Sequence, residues 1–91
     1  MGAMEKRISE RQEERREIEY TVTVLDLKEL KRMKKTAELV DRSDAGLGII
    51  TDYPLEPGHV LTFSDGFHNK IGIVRWSKRE DNLYRVGIKF V

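Results

Sequence analysis

Cysteine is absent from this chain of 91 residues. That absence removes a disulfide framework, thiolate metal sites and a cysteine nucleophile together. It suits a reducing compartment, and the cytoplasm is the expected setting. Long apolar runs are missing too: none approaches the roughly 20 residues that a membrane-spanning helix needs. A surplus of one charge is also missing, since 17 basic residues face 16 acidic ones for a formal +1. Proteins that live by non-specific phosphate contacts usually carry a large positive excess, so a nucleic-acid polymer is not the expected partner. Proline occurs twice, as Pro54 and Pro57 within one loop. Both act there as breakers.

What is present is one small domain's worth of sequence with a thin core, 38% hydrophobic against 36% charged. Met1–Met4 reads as a cloning leader ahead of a second start methionine. Residues 5–16 (EKRISERQEERR) hold a single apolar side chain, Ile8, and so read as a solvated N-terminal arm. Residues 1–16 are assigned to that arm and 17–91 to the folded domain.

Ile18, Tyr20, Val22 and Val24 alternate with Glu19, Thr21 and Thr23, the period of a strand. From Asp26 to Lys35 the pattern changes. Asp26 and Glu29 have capping-box spacing, and Leu27, Leu30 and Met33 would share a helical face, which predicts a short helical insert. Further strands are expected over 35–40, 47–51, 60–63, 70–78 and 84–91. Val74 and Trp76 should share one face, opposite Ile71 and Ile73. DRSDAG (Asp41 to Gly46), the loop around Tyr53 to Gly58, Asp65-Gly66 and Glu80-Asp81-Asn82 supply the turns. About six short strands without a long helix predict an all-β, six-stranded antiparallel barrel.

Chemistry is sparse. His59 and His68 stand alone, without metal-ligand spacing. Ser43 is not in a nucleophile elbow. Asp41 and Asp44 share a turn where both should be solvated and ionised, and Gly46-Leu47-Gly48 does not lead into a helix. No enzyme and no cofactor are expected, only a binding module. Surface aromatics on a small barrel can stack single-stranded bases. Tyr20, Tyr53, Phe63, Phe67, Trp76, Tyr84 and Phe90 mostly alternate with apolar neighbours, though, and read as core.

Asp41, Ser43 and Gly46 fit a DxSxxG motif, and RxxxR spacing precedes the first strand. Ile73-Val74-Arg75-Trp76 and the closing Val86-Gly87-Ile88-Lys89-Phe90 follow in order. In this series the sequence resembles the PilZ domain, the bacterial receptor module for cyclic diguanylate, over most of residues 7–91. The resemblance implies a split six-stranded barrel that binds cyclic diguanylate through Arg11, Arg15, Asp41, Ser43 and Gly46. Arg7 and Arg16 stand as alternates in the arginine pair. Arg7–Arg11 and Arg11–Arg15 both fit RxxxR, and Arg16–Tyr20 is a degenerate third register with Tyr20 in place of the second arginine. An arginine fork can grip a phosphate or guanine O6 and N7, an ionised Asp can accept from guanine N–H groups, and Ser43 can offer a hydroxyl. Closure of the arm over the turn would pass the signal to a protein partner, from a monomer or a ligand-dependent dimer. A PilZ-like scaffold that no longer binds nucleotide, and a single-strand-binding barrel, are the alternative readings.

Overall fold

A computed structural model describes residues 12–63 and 70–91, with side chains from Glu14 onward. Six strands follow in chain order: β1 (Gln12–Asp26), β2 (Glu29–Arg42), β3 (Gly46–Thr51), β4 (Val60–Phe63), β5 (Lys70–Glu80) and β6 (Leu83–Phe90). All pairings are antiparallel, in the order β1-β2-β3-β6-β5-β4. The ring closes where Thr21–Thr23 of β1 pair with Val60–Thr62 of β4. The split expected of the barrel therefore gives way to a closed ring, which leaves few edges unpaired.

The alternation in the sequence is what fills the interior. Ile18, Tyr20 and Val22 of β1 face Ala37 and Leu39 of β2, Leu47 and Ile49 of β3, and Val86 and Ile88 of β6. Leu61 and Phe63 from the short β4 complete the packing. Leu55 plugs the interior from the loop that joins β3 to β4. Burial of each such side chain contributes about 1.5–3 kcal/mol, and among the described residues little more than a dozen side chains make up this core. Tyr20 is the polar exception. Its hydroxyl bonds Thr51 Oγ1 at 2.8 Å, and Thr51 in turn donates to the Thr36 carbonyl at 3.3 Å. Burial pushes the Tyr20 hydroxyl above its ordinary range. The Tyr20 side chain is thus enclosed in the core.

Two expectations are corrected. No helix occurs among the described residues: the segment expected as a helical insert is the tip of the β1–β2 hairpin. Leu27 and Lys28 form its two-residue turn with φ of 51° and 70°, the left-handed pair that suits the twist of a hairpin. Asp26 and Glu29 are cross-strand partners there, not a helix cap. The arm boundary also shifts. Residues 12–16 belong to β1 and pair with Leu39–Arg42 of β2. From Glu14 to Arg16 the side chains stay at least partly exposed and form ion pairs, so the ladder accepts their charge. The Asp65-Gly66 turn, His68 and Phe67 lie outside the described residues.

Candidate functional site

Three β-bulges shape one end of the barrel. In β1, Glu14 and Arg15 together face the single residue Val40, between the pairs Glu13–Asp41 and Arg16–Leu39. In β2, Val40 is the extra residue against β3, between Leu39–Ile49 and Asp41–Gly48. In β5, Arg75 is extra against β6, between Val74–Ile88 and Trp76–Gly87. Bulges re-aim side chains and gather beside functional sites.

The β5 bulge overturns the expected facing of Trp76. Val74 points into the core, and simple alternation would send Trp76 after it. The extra residue turns the indole outward instead, and Trp76 is 49% exposed. The indole covers Gly87, where even a Cβ would collide with the ring.

The registers then line up across the sheet. Asp41 pairs with Gly48, Gly48 with Gly87, and Gly87 with Trp76. On the outer face a carboxylate and an indole therefore stand at the two ends of a floor made of two glycines. Asp41 leans over its side of that floor, since a Cβ on Gly48 would lie 2.7 Å from Asp41 Oδ1. Beyond Trp76 a hollow of about 220 Å³ is lined by Arg75, Trp76, Lys89 and Ala45. Among the described residues, neither Arg75 nor Lys89 has an ion-pair partner.

The DxSxxG turn borders this platform. The Ser43 N–H donates to the Gly46 carbonyl at 2.9 Å, and Ser43 Oγ accepts from the Ala45 N–H at 3.1 Å. The Ala45 carbonyl accepts from the Phe90 N–H at 2.8 Å, which ties the turn to β6. Gly46 is needed for that approach, since a Cβ there would overlap the Ile88 carbonyl oxygen. Ser43 and Gly46 thus have structural duties whatever the turn binds.

The arginines are divided. Arg16 Nε donates to Glu14 at 2.8 Å, and Arg42 Nε reaches the other oxygen of the same carboxylate at 3.1 Å. The Arg16 hydrogen bond, with the Arg42 charge beside it, holds the Glu14 carboxyl below its ordinary 4.5. Two guanidiniums are thus clasped around one carboxylate next to Asp41. Arg15 pairs with Glu38 at 3.5 Å. Arg15 and Arg16 also line a separate groove of about 500 Å³, whose walls include Glu17, Glu38 and Asp52. Asp41, Ser43 and Gly46 do not line that groove. Arg7 and Arg11 lie outside the described residues.

Sequence reading missed Trp76, Arg75, Lys89 and Arg42 as site residues. The available signal was Gly48 and Gly87, each inside a strand, where glycine marks a close approach by another group. His59, without metal-ligand spacing in the sequence, braces its loop. Its Nδ1 accepts from the Glu56 N–H at 3.0 Å between β3 and β4. Among the described residues no cluster of three or more His, Asp or Glu side chains is placed to hold a metal. No protein-family model matches the chain, and no curated protein matches it.

Proposed function

We propose that this chain is a PilZ-like receptor for cyclic diguanylate and acts as a binding module. The observation that carries the proposal is the platform of Asp41, Gly48, Gly87 and Trp76, with Lys89 and Arg75 beside it and the DxSxxG turn along its border. A guanine ring stacked on the exposed face of the indole that covers Gly87 would turn its Watson–Crick donors toward the carboxylate in the same row. Those are the contacts by which proteins read an unpaired base. Cations at the margin suit the two phosphates. Arg16 and Arg42 reach the same end of the barrel, and Arg11 and Arg7 precede it in the chain. Closure of that segment over the bound nucleotide would give a protein partner a surface that depends on the ligand.

Isothermal titration with cyclic diguanylate, and with cyclic diadenylate as control, tests the reading. Asp41 has no donors to accept from an adenine Watson–Crick edge in the same place. Discrimination of about 10-fold or more is expected, from ~1–3 kcal/mol per well-read base. Equal affinity for the two nucleotides, or no heat with either, would remove the proposal.

One set of observations favours a second reading, a PilZ-like scaffold that no longer binds nucleotide. Glu14 already occupies Arg16 and Arg42, and Glu17, Glu38 and Asp52 surround Arg15. Protein partners indifferent to the nucleotide, with no heat in the titration, would support it.

A further inference from the structure

The β1–β2 hairpin outruns the barrel that it helps to build. β4 pairs with β1 only at Thr21–Thr23, and β3 pairs with β2 only from Glu38 onward. Beyond those contacts, Val24 to Lys31 form a ribbon whose two strands pair only with each other. At its end Leu25 is 71% exposed, Leu27 91% and Leu30 74%. Leu25 and Leu30 are cross-strand partners on one face, and Leu27 sits in the turn between them. On that face the next pairs down are Thr23–Arg32 and Thr21–Lys34, and Lys34 lies 4.0 Å from Glu19 farther down the same face. Asp26 and Glu29 are partners on the other face, where Asp26 is held by Lys31 at 3.0 Å. The ribbon therefore has an apolar tip, Arg32 beneath it on the leucine face, and the two acids of the tip turned away.

Isolated exposed leucines are ordinary, but three gathered at a protruding end mark a surface that something covers. Residues 24–35 carry five basic side chains against two acidic ones. Among the described residues, Lys28 and Arg32 have no ion-pair partner. We propose that the hairpin tip docks on a bilayer rich in anionic headgroups. Leu25, Leu27 and Leu30 enter the boundary between headgroups and acyl chains, while Lys28 and Arg32 meet the lipid phosphates. Apolar burial and a cationic rim together are what hold a protein on such a surface. The charge also disfavours the competing occupants. Lys31, Lys34 and Lys35 guard the open edges of the ribbon against strand addition, and Lys28 and Arg32 of a second copy would repel those of this one.

Co-sedimentation with vesicles tests the proposal. One set is phosphatidylcholine alone, the other phosphatidylcholine and phosphatidylglycerol in equal parts. The wild type should sediment with the anionic vesicles and at least about tenfold less with the neutral ones. A variant carrying L25S, L27S and L30S should lose about tenfold or more of that binding. Because these side chains are exposed, its melting temperature should match the wild type, so the loss reads as lost contact. The pair K28E and R32E should lose binding to a similar degree without unfolding. Failure of the wild type to sediment with either vesicle overturns the proposal, as does unchanged sedimentation of the leucine variant. So does a wild-type dimer in solution that the leucine substitutions dissociate.

Discussion

Gly46 and Gly48 lie two residues apart on β3, and alanine at each should fail in a different way. At Gly46 the new Cβ would meet the Ile88 carbonyl, which is backbone and cannot rotate aside. β3 must then move away from β6 at the Gly46–Lys89 pair. That strains the Phe90–Ala45 bond of 2.8 Å and the Ser43–Gly46 bond of 2.9 Å. Loss of two backbone bonds at ~0.5–1.5 kcal/mol each, with desolvated groups left behind, costs roughly 2–3 kcal/mol. In a domain of this size that lowers the melting temperature by about 10–20 °C. At Gly48 the obstacle is the end of the Asp41 side chain, 2.7 Å from the new Cβ, and that side chain can swing away. The ordinary gain of alanine over glycine in a strand, ~0.5–1 kcal/mol, offsets the adjustment. Gly48→Ala should therefore melt within a few degrees of the wild type. It should nevertheless weaken cyclic diguanylate binding by about tenfold, because the carboxylate has been pushed off the platform. Thermal unfolding followed by circular dichroism, with calorimetric titration of the folded variant, separates the two effects. Equal destabilisation by both substitutions would refute the reasoning, as would unchanged stability of Gly46→Ala.

The clasp around Glu14 makes two further measurements informative. Glu14→Gln removes the carboxylate that competes with an incoming phosphate for Arg16 and Arg42, so nucleotide affinity should rise, by no more than about fivefold. Unfolding of the same variant against pH gives the sign of the contact. Arg16 and Arg42 depress the Glu14 carboxyl below its ordinary value, so any stability it adds is fully present above that value. It is lost as pH falls through the lower folded one. The wild type and Glu14→Gln should thus differ at neutral pH and converge in acid; divergence on acidification would contradict the clasp. In the core, Tyr20→Phe deletes the bond to Thr51 while Thr51 keeps the Thr36 carbonyl. Urea unfolding should show a loss of about 1 kcal/mol, and a loss above ~3 kcal/mol would contradict the removal of a single bond.

Six strands and their order along the chain were legible because Ile18, Tyr20 and Val22, and likewise Tyr84, Val86, Ile88 and Phe90, alternate cleanly. The hairpin tip was not. Leu27, Leu30 and Met33 happen to fit a helical period, and the turn at Leu27-Lys28 carries neither Asn nor Gly to announce its positive φ values. Cross-strand pairing of β1 with β2 settles the conformation there, and pairing partners are not written locally. The outward turn of Trp76 was hidden for a related reason. One extra residue at Arg75 reverses the facing of everything after it. The motif residues Asp41, Ser43 and Gly46 were visible as a set. That Asp41 would share a row with Trp76 was not, because the row runs across four strands far apart in sequence.

Trp76 is the only tryptophan of the chain, and it stands at the edge of the platform, half exposed. Its emission reports directly on whether a base arrives there. Titration of the wild type with cyclic diguanylate should quench or shift that emission with a saturable curve. The same titration of Asp41→Ala should give a curve displaced by about tenfold or more. Saturable calorimetric binding that leaves Trp76 emission unchanged, or no binding at all by a folded wild type, would contradict the assignment of this face as the nucleotide site.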